Sequence, residues 1–155
     1  MLLTLQKRIQ TLLENDTYFS GSDVITEQVA DIQTEVETAI GKLSFCVVIM
    51  TASGDGLEPA GETPHFTERL TVSIAQRPLT DKLRDSRNTV DGLEHAILAV
   101  HGKPVVADGM GPQRFRVVRH LAARTDDGLA IQEFVVEVSA KMKLEPVPSE
   151  EAPPA

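Results

Sequence analysis

Residues 114–143 read RFRVVRHLAARTDDGLAIQEFVVEVSAKMK, and the pair Asp127-Gly128 near their middle predicts a hairpin turn. Asp-Gly tolerates the positive φ angles that a tight two-residue turn demands, and both flanks are rich in β-branched residues. Arg114–Arg124 and Leu129–Lys143 are therefore expected to be antiparallel strands. A two-residue loop sets Val117 opposite Val138, Leu121 opposite Phe134 and Phe115 opposite Ala140. A three-residue loop would set Val117 opposite Glu137 and expose half of the apolar face. In the expected register Arg119 falls on the apolar side, its stem covered by a neighbouring element or subunit and its head reaching water.

Working back towards the N-terminus, Val90, Leu93, Ile97 and Val100 form an apolar stripe at helical spacing, from Ser86 or Asn88 to His101. Asn88 and Asp91 have capping-box spacing, Asp being a poorer reach-back partner than Glu, and Gly102 lies just past the end. Gly92 inside this helix costs about 1 kcal/mol relative to Ala, which suits a close approach or a kink. Phe66, Leu70, Val72 and Ile74 alternate with Thr67, Arg69, Thr71 and Ser73, the pattern of a half-exposed strand that Pro78 ends. Residues 52–65 carry three Gly and two Pro and are expected to be a long loop.

Residues 43–51 are a nearly continuous apolar run, too short for a core helix and expected to be a central strand. Val29, Ile32, Val36 and Ile40 predict a helix over about residues 30–40, started by Asp31 or Thr26 and stopped at Gly41. Asp23–Thr26 suits a short strand, and Leu2, Leu5, Ile9 and Leu12 predict an amphipathic helix over 2–14. The expected fold class is α+β: a mainly antiparallel sheet of about four strands, with two to three helices packed on one face. Residues 1–144 make one domain, and the Pro/Glu-rich segment 145–155 is expected to be a disordered tail.

Composition narrows the function. The chain has 155 residues and a net charge of -8, and no long segment is basic, so sequence-specific nucleic-acid binding is not expected. Five Phe, one Tyr and no Trp leave little for a base-stacking platform. No apolar run is long enough for a membrane span or shaped like a signal peptide, so synthesis in the cytoplasm is expected. Cys46, the single cysteine, excludes an intrachain disulfide and fits a buried small hydrophobe.

Chemistry-bearing constellations are scarce. His95 and His101 are six apart, which does not place them on one helix face as a ligand pair, and His65 and His120 lie on other segments. Gly54-Asp55-Gly56 lacks the Lys-Ser/Thr ending of a phosphate loop, and Asp126-Asp127 is explained by the turn. No catalytic, cofactor-binding or metal-ligating residue is assigned, and the chain is read as not an enzyme. The charged residues that suit a subunit contact are Asp55, Glu58 and Glu62 of the expected loop, facing Arg84 and Arg87 of the next copy.

The order of these elements resembles the tail terminator and minor tail proteins of long-tailed bacteriophages. The matching parts are Leu2–Leu13, Leu43–Thr51, Phe66–Pro78, Asn88–His101 and Arg114–Met142. The resemblance implies a structural virion protein of a phage or prophage, assembled in the host cytoplasm. It would form a homo-oligomeric ring, typically a hexamer, capping the tail tube protein and meeting the head-tail connector protein. The alternative is a stand-alone bacterial binding module or small enzyme.

Overall fold

The side chains of residues 45–49 alternate between two apolar clusters, so this stretch of strand is buried on both faces. Phe45, Val47 and Ile49 join one cluster, and Cys46 and Val48 join the other. A strand with two apolar faces needs cover on each side, and the rest of the fold supplies it. A computed structural model describes residues 2–60, 63–77, 87–107 and 111–141, with the backbone alone along 53–60, 63–66, 140 and 141.

In chain order the elements are α1 (Leu2–Glu14), a single 3-10 turn (Thr17–Phe19), β1 (Asp23–Thr26), α2 (Ile32–Leu43), β2 (Phe45–Ala60) and β3 (Thr63–Gln76). Then come α3 (Thr89–Val100), β4 (Pro104–Val105), β5 (Gln113–Arg114), β6 (Arg116–Asp126) and β7 (Leu129–Lys141). The main sheet has the order β1-β2-β3-β7-β6, and β4 and β5 form a two-stranded sheet. Only the β1–β2 pair is parallel, so the sheet is mainly antiparallel and the class is α+β, as the sequence implies.

Two helices share one face. Leu5, Ile9 and Leu13 of α1, with Leu93, Ala96 and Val100 of α3, pack on Val47, Ile49, Leu70, Val72, Ile74, Phe134 and Val136. Helix α2 lies on the opposite face, where Ala39 and Ile40 meet Ile25, Cys46, Val48 and Ala75. It covers only the end of the sheet near Cys46, because β3 and β7 turn polar on that face at Ser73, Thr71, Glu133 and Glu137.

Several local expectations are corrected. Helix α2 runs through Gly41 to Leu43 and stops where Ser44 takes a left-handed φ of 57°. Asp31 caps its start by accepting from the Thr34 amide at 3.2 Å. Asn88 caps α3, and its side chain bonds Asp91 at 2.6 Å, but the Asn88 amide donates to the Tyr18 hydroxyl at 2.9 Å rather than to Asp91. The stripe of α3 is rotated from the expected one: Val90 is exposed, while Thr89, Gly92 and Ala96 face inward. Gly92 serves close packing, since a Cβ there would sit 3.2 Å from Ile74 and 3.3 Å from Phe45.

The expected loop at 52–65 is strand where it is described: β2 continues to Ala60 and β3 begins at Thr63, with backbone pairs at Asp55↔Thr67 and Glu58↔His65. The Gly and Pro residues that suggest a loop accompany two bulges, between Thr51 and Gly54 and between Asp55 and Glu58. The turn at Asp127-Gly128 is as expected, with φ of 50° and 75°. The register holds only near it, from Asp126↔Leu129 to Arg124↔Ile131. Two bulges in β6 then add a residue each, so that Leu121 meets Glu133, Arg119 meets Val135, and Val117 meets Val136 instead of Val138. Arg119 thereby leaves the apolar face. The expected tail, 145–155, lies outside the described residues.

Replacing Gly128 with Val places a β-branched residue at φ 75°. Chemical denaturation should show a loss of stability of about 1–2 kcal/mol or more, with the same denaturant slope as the parent.

Candidate interaction surfaces

A half-buried carboxylate node fixes how α1 joins the sheet. Gln6, fully buried on α1, donates to the Glu27 carboxylate and to Thr51 Oγ1 at 3.2 Å, while its own oxygen accepts from the Glu27 amide at 3.1 Å. Thr51 donates to Glu27 Oε2 from its amide at 3.0 Å and from its hydroxyl at 2.7 Å. Burial disfavours the charged form of Glu27, but the bonds from Thr51 and Gln6 outweigh it and hold its pKa below the ordinary carboxylate value. The node sits where β1 ends and β2 begins to run on without it.

Beyond that point the sheet becomes an arm. Strand β1 stops at Thr26, opposite Ile49, and β6 starts at Arg116, level with Arg69 through Glu137. Only β2, β3 and β7 continue past this level, with β7 reaching His65↔Lys141 and the hairpin closing at Ala60↔Thr63. From Arg69 to Thr63 the arm advances about 20 Å at about 3.3 Å per residue. Residues 51–68 hold Asp55, Glu58, Glu62 and Glu68 and neither Lys nor Arg.

The other edge of the sheet has the opposite sign. Residues 111–125 hold Arg114, Arg116, Arg119 and Arg124 and no acid. On the face that α2 leaves open, these cations stand over two carboxylates. Arg124 donates to Glu133 at 2.6 Å, and their side chains are 51% and 8% exposed. Glu133 also accepts from Ser73 at 2.6 Å. Glu137 takes Arg69 at 3.1 Å and Arg116 at 3.5 Å, and the Arg116 side chain is 70% exposed. Arg119 is exposed and makes no hydrogen bond or ion pair with another of the described residues. The acids thus lie beneath and the guanidiniums outside. A groove of about 530 Å³ runs from Ala52 over Thr71, Val118, Leu121 and Val135 between Arg69, Arg116 and Arg119, with Glu137 also in its lining.

The five residues expected at a subunit contact are distributed differently. Asp55 and Glu58 lie on the arm, and Glu62 and Arg84 lie outside the described residues. Arg87 is held within its own chain at the opposite end of β2. It donates to the Ser20 carbonyl at 2.8 Å and Ser22 Oγ at 2.6 Å, and lies 5.6 Å from the Phe45 ring centre. Of the outward arginines of β6, sequence reasoning singled out Arg119 and missed Arg116 and Arg124. Their signal is the acid-free run at 111–125, which disappears when charge is summed over the whole C-terminal segment.

The histidines have local roles. His95 stacks on Tyr18 with ring centres 4.3 Å apart, His101 Nδ1 accepts from the Val117 amide at 3.0 Å, and His120 bonds Gln132 at 3.0 Å. Among the described residues no three His, Cys, Asp or Glu side chains gather as metal ligands. Cys46 is fully buried, and burial, with a smaller contribution from Asp23, pushes its thiol up to about 12. No described helix is long and apolar enough to cross a membrane.

No protein-family model matches the chain, and no curated protein matches it. One solved structure, whose name carries no word about its role, superposes with a TM-score of 0.53 at 13% identity. The match covers 94% of this chain and 95% of the other. At that identity the likeness shows the fold alone.

Because the folded pKa of Glu27 lies below its unfolded value, its contribution is present above the ordinary carboxylate pKa. It is lost as pH falls through the folded pKa. Glu27→Gln should lower stability by about 1 kcal/mol at neutral pH and flatten the acid limb of the melting curve against pH. A parallel acid limb in parent and variant would show that the node contributes nothing.

Proposed function

We propose that the protein is a structural subunit that closes into a ring on a bacteriophage tail tube, stops the tube growing and joins the tail to the head connector. What carries the reading is one sheet with two unlike open edges, an acidic arm at one and an arginine row at the other. A closed ring needs each subunit to meet the next head to tail through two different, complementary surfaces. The order of helices and strands is also the order on which the resemblance to tail terminators rests. In this reading the ring is a hexamer in the virion tail, of a phage or prophage, and the chain is not an enzyme. Asp55, Glu58 and Glu62 belong to the subunit contact.

A second reading, a small binding module, is favoured by one feature. Between α2 and the sheet lies a groove of about 730 Å³, apolar at Val36, Ile40, Met50 and Ile131 and charged by Arg77 and Arg124 together with Glu37, Asp126, Asp127 and Glu133.

Growing tubes of the purified tail tube protein, with and without this protein, test the first reading. Shorter tubes with a ring at one end are expected in electron micrographs, together with a closed oligomer in native mass measurements. Unchanged tube lengths and a strict monomer over a hundredfold concentration range would overturn it.

A further inference from the structure

We infer that the acidic hairpin arm of one copy docks in the arginine-lined groove on the β6 edge of the next copy. The inference rests on the ring reading for its setting, and it names the contact that reading leaves open.

Three observations lead to it. The first is charge. In a chain of net charge -8, residues 51–68 carry four acids and no Lys or Arg, while residues 111–125 carry four arginines and no acid. The two segments are complementary and each is repelled by its own kind. The second is direction. The sheet is continuous from β2 to β6, and β6 spans the levels from Arg69 towards Gln76, whereas the arm runs from Arg69 the other way, to Thr63. An arm carried rigidly away from its own β6 reaches the groove only on another molecule. The third is that the groove is built to receive acid. Glu133 and Glu137 occupy the inner sides of Arg124, Arg69 and Arg116, and among the described residues no carboxylate is ion-paired with Arg119, although Glu137 lines the same groove. Val118, 40% exposed, gives the floor apolar area for the small residues of the arm.

Arg87 does not compete for this role, because Ser20, Ser22 and Phe45 already hold it. Contacts between exposed opposite charges set register and partner choice more than affinity, and added salt weakens them.

The test uses the full chain. Asp55→Lys with Glu58→Lys in one variant, and Arg119→Glu in a second, should each raise the concentration of half-assembly by about tenfold in sedimentation velocity. The combined variant should recover part of that loss. Arg119 is chosen because it is exposed and bonds no other described residue, so its reversal is expected to leave the fold intact. A second measurement does not depend on affinity: chains carrying Glu58→Cys are mixed with chains carrying Arg119→Cys and mildly oxidised. A covalent dimer joining the two kinds of chain is expected, and Cys46 stays silent because it is fully buried. An oligomer indifferent to both reversals, with no mixed dimer, overturns this contact while leaving ring and tube capping intact. A cross-link from position 119 to the tube protein in place of a second copy overturns it as well. A mixed dimer formed by a protein that leaves tube length unchanged upholds the contact and sinks the terminator reading.

Discussion

Burial of β2 on both faces is the constraint from which the other elements follow. Phe45, Val47 and Ile49 point one way and Cys46 and Val48 the other, all less than a tenth exposed. A single layer of helices cannot cover such a strand. Helices α1 and α3 close one side, and α2 closes the other only where apolar side chains continue onto Ile25 and Ala75. The parallel β1 fits the same need, since it lies beside β2 through Val24↔Val47 and Ile25↔Val48 and adds one side chain to each cluster.

Where α2 ends, the face it leaves must be wet, and the sequence changes accordingly. Ser73, Thr71 and Arg69 of β3 pair with Glu133, Val135 and Glu137 of β7 on that face. Two carboxylates in so covered a place cost desolvation unless they are bonded. Ser73 and Arg124 on Glu133, and Arg69 and Arg116 on Glu137, meet that cost. Satisfying the inner acids therefore accounts for Arg116 and Arg124 of the edge strand. Structural chemistry inside one subunit and the charge it shows to a neighbour thus have one origin.

Periodicity carried most of the elements, because each helix and strand buries a regular face. Leu2, Leu5, Ile9 and Leu12 announce α1, although Leu13 and not Leu12 is the fully buried one, and the alternation from Phe66 to Ile74 announces β3. What was not legible was set by long-range pairing. The register of β6 with β7 is correct for the first pairs after the turn, then slips at each bulge, and no local pattern among Leu121, Ala122, Ala123 and Arg124 marks where the extra residue goes. Residues 52–60 have a loop's composition and a strand's conformation, because β3 offers a ladder and the bulges absorb the glycines. Arg87 has a surface residue's sequence context, and only the fold brings Ser20, Ser22 and Phe45 around it.

The bulges link fold and assembly. The register shifts fall in β2 within the arm, where β1 no longer lies beside it, and in β6, an edge strand of the sheet. Strand β3, which has a partner on each side, pairs with β7 without a shift from His65 to Gln76. A long, flat open edge accepts any extended chain, including another copy in the wrong register, and bulges, proline and charge are ways to prevent that. Pro59 and the arginines of β6 add to the same effect. Edges guarded in this way are poor templates for a continuous intersubunit ladder. The proposed contact between copies fits such edges, because it is made by side chains, acid on arginine, and not by a backbone ladder.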